Sequence, residues 1–152
     1  MFKFQYGDVI AVKHKGLIGE VISVAEGTEY MHVMTCCGYL NGNNNSPLFA
    51  ETNRGEPACI TNMYLEPNEY DVFRPSAPFS SAEITKADKY IYKAMRSKYD
   101  LLECLTGKET DGELICVTFS NAIYAAAGRP FKAKKWFNNL VDGELIKQNA
   151  TA

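Results

Sequence analysis

The sequence predicts an α+β domain: a small antiparallel sheet in the first half, packed against helices from the second. Three observations carry this. Up to Arg74-Pro75 the chain is a succession of short apolar runs separated by turns rich in Gly, Asn and Pro, which is the pattern of strands. From Ser80 onward the apolar residues recur at helical period. The stretch ICVTFSNAIYAAAG, Ile115 to Gly128, then sets Val117, Phe119, Ala122, Ile123 and Ala126 in a small, apolar run that reads as a buried helix.

Size and composition narrow the classes further. At 152 residues the chain fits one domain, 1–152, long enough to bury a real core. Hydrophobic residues at 46% with 22% charged are ordinary for a globular protein. A formal net charge of -2 gives no global attraction to nucleic acid or anionic membrane, so neither is expected as a partner. MFKFQYGDVIAVKHKG lacks the apolar run of a signal peptide and no later stretch reaches membrane-spanning length, so a cytoplasmic location is expected. Five cysteines cannot all pair, and reduced thiols are expected. With no Cys-x-x-Cys spacing and two histidines, neither a zinc site nor another cofactor is expected.

In chain order, Gly7-Asp8 turns into the strand Val9-Ile10-Ala11-Val12, and His14 follows in a basic patch. Leu17, Ile18, Val21, Ile22 and Ala25 suit one helical face, although Val21 to Val24 also fits a strand. Glu29 to Cys36 reads as a strand whose alternation sets Tyr30, His32, Met34 and Cys36 on one side and Met31, Val33 and Thr35 on the other. After the turn cluster Asn41 to Pro47 come strands over Leu48–Thr52, Ala58–Leu65 and Tyr70–Phe73. Ser80 and Glu83 stand at capping-box spacing before a helix reaching about Lys98, with Ile84, Ala87, Ile91, Ala94 and Met95 on its apolar face. A short helical segment, Leu101 to Leu105, precedes a polar loop through Asp111-Gly112. The buried helix then stops at Gly128, with Pro130 beyond it. Lys132 to Lys135 reads as solvated surface. Trp136, Phe137, Leu140, Leu145 and Ile146 form a C-terminal packing segment, with a polar tail from about residue 148.

The chemistry starts from Cys116. In the first turn of a helix, free amides and the helix dipole favour a thiolate, which a nucleophile needs. The bland alternative is a buried core cysteine. A nucleophilic cysteine also needs a base and a group to orient that base. His32 lies inside a strand, where neighbours can hold its ring, whereas His14 lies in a loop. Glu51 is a carboxylate after the apolar run Leu48-Phe49-Ala50 and needs a partner if buried. Tyr99 could donate its hydroxyl to a developing oxyanion, alongside the amide of Cys116, or serve as half-buried packing. Cys104 lies among leucines, Cys59 has no base nearby, and Cys36 stands about 13 Å along the strand from His32.

The succession GDVIAV (7–12), EYMHV (29–33), LFAET (48–52), EYDVFRP (69–75), KYDLL (98–102) and ICVTFSNAIYAAAG (115–128) resembles the circularly permuted papain-like members of the NlpC/P60 superfamily. It is similar to the lecithin-retinol-acyltransferase-like and YiiX-like hydrolases. The resemblance spans Gly7 to about Leu140 and rests on the order of the motifs, histidine before cysteine above all. It implies a papain-like fold with Cys116 as nucleophile, His32 as base, Glu51 as orienting residue and Tyr99 as an oxyanion-side contact. Members usually have Cys-Ser followed by an acidic or polar residue, and this chain has Cys116-Val117-Thr118. The implied activity is that of a cysteine hydrolase, an amidase or peptidase with thioesterase and acyltransferase as variants. The implied substrates are peptide, peptidoglycan-derived or acyl compounds. Two other readings stand beside it: a non-catalytic module holding a peptide or lipid in the same groove, and a Cys/His metal site at His32, Cys36 and Cys37.

Overall fold

The computed structural model describes residues 2–13, 30–43, 45–52, 56–96, 112–131 and 145–148. Its strands are β1 (Val9–Lys13), β2 (Tyr30–Tyr39), β3 (Pro47–Glu51), β4 (Cys59–Thr61), β5 (Tyr70–Pro75) and β6 (Leu145–Gln148). Its helices are α1 (Ser81–Arg96) and α2 (Gly112–Ala126). The strands form one antiparallel sheet in the order β4-β3-β2-β1-β5-β6, so β1 to β4 make a meander and β5 and β6 extend it on the other side of β1. This is the expected α+β architecture. The expected helix over 17–25, the segment 101–105, the basic run 132–135 and residues 136–140 of the C-terminal packing segment lie outside the described residues.

The sheet is buried on both faces, which explains the continuous apolar run of β1. Val9, Ala11, Val33, Ala50 and Phe73 join the helical residues Ala87, Ile91, Ala94, Cys116, Phe119 and Ile123 in one core. Ile10, Met34, Cys36, Phe49, Tyr70 and Val72 point the other way, into a second core closed by Phe4 and Leu65. Alternate residues of β1, β3 and β5 therefore serve different cores.

The Gly-Asp entry to β1 has a specific physical cause. Gly7 has φ +88°, and a Cβ there would come within 2.6 Å of the Phe79 ring. Its carbonyl accepts a hydrogen bond from the buried Tyr124 hydroxyl of α2, tying the turn to that helix. Asp8 is wholly buried and accepts from the Gln5 amide at 2.8 Å and from Arg74 through Nε at 2.8 Å and Nη2 at 2.6 Å. A buried carboxylate with a forked guanidinium partner is the form in which such a charge is tolerated.

The helix ends follow their local signals. Glu83 N donates to Ser80 Oγ at 3.3 Å and Ser80 N donates to Glu83 Oε2 at 2.7 Å, a complete capping box. At the far end of α2, Arg129 N donates to Tyr124 O and Gly128 N to Ala125 O, with Gly128 at φ +85°. That is the Schellman arrangement, and it needs the left-handed residue that glycine provides.

Two expectations are corrected. β2 does not alternate strictly: its register with β1 shifts between Val12 and Lys13, where Val12 pairs with His32 and Lys13 with Tyr30. The bulge puts Tyr30 in the helix-side core with Val33, while Met34 and Cys36 face the second core. Also, β6 is a strand over residues expected only to supply packing. Among the described residues no helix is long and apolar enough to cross a membrane.

Candidate functional site

Three adjacent strands and one helix bring the polar groups together. His32 is on β2, Glu51 ends β3 and Thr61 ends β4. Extending the Thr35–Ala50 pairing sets Glu51 opposite Met34 and so diagonal to His32; the Glu51–Cys59 and Phe49–Thr61 pairs set Thr61 diagonal to Glu51. Diagonal neighbours in a sheet are within reach of long side chains. The two contacts duly form: His32 Nε2 lies 2.6 Å from Glu51 Oε2, and Thr61 Oγ1 donates to Glu51 Oε1 at 2.6 Å. The bulge beside His32 is a device that re-aims a strand side chain.

Cys116 approaches the same histidine from α2, close enough for its thiol to favour the charged form of the ring. With Nε2 engaged by Glu51, Nδ1 is the nitrogen left for the sulfur. The order is thus Cys116, His32, Glu51, Thr61. The His32 side chain is 19% exposed and that of Glu51 6%; Cys116 is also buried. Little water competes for these contacts, so each is stronger than it would be at a surface.

The electrostatics follow from that arrangement. Burial works against the imidazolium of His32, but the hydrogen bonds to Cys116 and Glu51, with the negative charge on both, outweigh it and raise the pKa to about 9. The same bond from His32 holds the Glu51 carboxyl below its ordinary range; burial opposes this and Thr61 assists it. The other described cysteines differ. Burial pushes Cys36 and Cys37 up to about 12, and it raises Cys59 as well. Cys36 Sγ donates to Gly38 O at 3.7 Å and Cys37 Sγ to Leu48 O at 3.5 Å, so both thiols are occupied by backbone.

The helix around Cys116 starts earlier than expected. α2 begins at Gly112, which makes Cys116 its fifth residue rather than a member of its first turn. An amide at that place bonds to the carbonyl four residues before it, and the free amides belong to the first four residues. The amide of Cys116 is therefore not the oxyanion donor expected from the sequence. The dipole, which falls off within the first turn, also acts on it less directly. Tyr99 lies outside the described residues, as do His14 and Cys104.

Sequence reasoning did not find Thr61. Its signal is weak, a threonine two residues after Cys59, and it gains meaning only from the register of β3 against β4. It also missed the hydrogen bond from Thr35 Oγ1 on β2 to Ser120 Oγ on α2, at 2.8 Å between two fully buried residues.

No family model matches the chain, and no curated protein matches it. Among solved structures the chain is similar to the metalloprotein YiiX from Escherichia coli O157:H7, with a TM-score of 0.56 and 16% identity, over 87% of this chain and 71% of that one. At that identity the likeness speaks for architecture alone: the chain has a YiiX-like α+β fold.

Proposed function

We propose that the protein is a cysteine hydrolase of the permuted papain-like type, with Cys116 as nucleophile, His32 as base and Glu51 as the residue that orients the base. One observation carries this reading: a single, mostly buried imidazole has a buried carboxylate 2.6 Å from Nε2 and the Cys116 thiol close enough to raise its pKa. That is the constellation nucleophilic catalysis requires.

In the proposed reaction His32 takes the Cys116 proton, and the sulfur attacks the carbonyl carbon of an amide, ester or thioester. The bond to the leaving group breaks, and that group departs with the proton held on His32. The acyl group is then a thioester on Cys116. Water, giving its proton to His32, attacks that carbonyl; the C–S bond breaks, the carboxylic acid leaves and the thiol is restored. Glu51 favours the imidazolium in both steps, and Thr61 keeps the carboxylate turned toward His32. An acyltransferase would differ only in the acceptor that replaces water.

YiiX is described as a metalloprotein. Among the described residues no group of three or more His, Cys, Asp or Glu side chains could hold a metal ion. His32 Nε2 and Glu51 Oε2 are hydrogen-bonded to each other, and the Cys36 and Cys37 thiols bond to backbone carbonyls. Among the described residues the His32–Cys36–Cys37 metal reading therefore has no support.

Hydrolysis of an activated ester such as p-nitrophenyl acetate tests the proposal. Wild type is expected to turn over, and Cys116→Ala and His32→Gln to lose at least about a hundredfold in rate. Undiminished turnover by Cys116→Ala would overturn it. A folded wild type that binds peptide or acyl ligands without cleaving them would favour the non-catalytic module.

A further inference from the structure

We propose that the buried hydrogen bond between Thr35 and Ser120 is the positioning contact that sets Cys116 opposite His32; the inference rests on the catalytic reading above. Thr35 lies three residues beyond His32 on β2, and Ser120 lies one helical turn beyond Cys116 on α2. Their hydroxyls meet at 2.8 Å, with both residues fully buried. The strand and the helix that carry the reacting groups are thus joined one turn from the sulfur.

Around that bond the contact is apolar, and the other hydrogen bond that ties α2 to the sheet side, from the Tyr124 hydroxyl to Gly7 O, lies two turns beyond Cys116. Val33 and Ala50 of the sheet pack in one core with Phe119 and Ile123 of α2. Apolar burial is non-directional and gives little resistance to a small slide or rotation of a helix over a sheet. A hydrogen bond between two buried hydroxyls is directional, and breaking it strands two polar groups away from water. Of the two bonds it is the one near Cys116, and there it sets both the rotation of α2 and its height along β2. Misplacing a reacting group by about 1 Å can cost about a hundredfold in rate, so a restraint this close to Cys116 matters for chemistry. Thr35 and Ser120 touch neither the sulfur's reaction nor a substrate; they act through the placement of Cys116 and His32.

The test separates placement from stability. Replacing both hydroxyl partners by apolar groups of similar shape is close to neutral for folding, so the double variant Thr35→Val/Ser120→Ala is expected to keep a near-wild-type melting temperature. The readout is the pH–rate profile of Cys116 alkylation by iodoacetamide, followed by peptide mapping. Wild type is expected to show a reactive plateau well below pH 8, the mark of a thiolate–imidazolium pair. In the double variant that plateau is expected to fall by about tenfold or more, while reactivity above pH 9 is retained. Thr35→Ser, which keeps the hydroxyl, should retain the plateau. Where the double variant does not fold, Ser120→Ala is compared with Thr35→Ser in the same way. A wild-type plateau preserved in the variants lacking the bond overturns the positioning role alone. Absence of the plateau in wild type overturns the catalytic reading, and the positioning role with it.

Discussion

His32 Nε2 and Glu51 Oε2 meet at 2.6 Å across neighbouring strands, and Glu51 is held in turn by Thr61 at 2.6 Å. A buried carboxylate with both oxygens engaged is a fixed negative charge beside the ring. It favours the imidazolium and leaves the other ring nitrogen for Cys116.

Glu51→Gln removes that charge while keeping size and hydrogen-bonding capacity. The variant is expected to fold, to lower the pKa of His32 from about 9 toward its ordinary 6.5, and to slow Cys116 alkylation at pH 7 by at least about tenfold. NMR titration of the His32 ring and the alkylation rate are the two readouts. An unmoved His32 pKa would show that Glu51 is not its electrostatic partner.

The same shift makes a prediction about stability. A histidine whose pKa is raised on folding contributes stability that is fully present below its unfolded value and is lost as the pH rises through its folded value. For His32 the window runs from 6.5 to about 9. Melting temperatures measured from pH 6 to pH 10 are expected to fall across that window in wild type. The slope should be shallower in His32→Gln, and equal slopes would count against the shift.

Gly7→Ala is expected to destabilise the protein by about 2 kcal/mol or more, because a left-handed alanine is strained and the Phe79 ring occupies the space of the new Cβ. Urea unfolding measures this. Gly128→Ala keeps its surroundings clear, since nothing lies within 4 Å of its Cβ position, and should cost only the backbone term of about 1–2 kcal/mol. Equal losses at the two positions would remove the role assigned to Phe79.

What the sequence revealed was mostly what local chemistry decides. The Ser80–Glu83 cap and the Gly128 stop depend on residues a few positions apart, and both form as read. The strands β1, β2, β3 and β5 were legible because each is an apolar run with turn residues beside it. β6 was not, because Leu145–Gln148 is half polar and becomes a strand only by pairing with β5, far away in the chain. The face of Tyr30 was misread for a related reason: a bulge against β1 breaks the alternation between Tyr30 and His32, and nothing in the β2 sequence marks it. The early start of α2 was hidden by Asp111-Gly112, which looks like a turn although Gly112 opens the helix. His32 and Glu51 could be picked out as candidates because a strand histidine and a carboxylate beside an apolar run are each unusual. Their contact, and the part played by Thr61, required the sheet register.

The central claim is that Cys116 forms a covalent acyl intermediate with the help of His32. The most direct measurement is mass spectrometry of protein quenched with acid during turnover of p-nitrophenyl acetate, followed by peptide mapping. The expected result is a single acetyl group on the peptide containing Cys116, absent from Cys116→Ala and much slower to form in His32→Gln. An acetyl group that persists on the Cys116→Ala protein, or turnover with no adduct on Cys116, would contradict it.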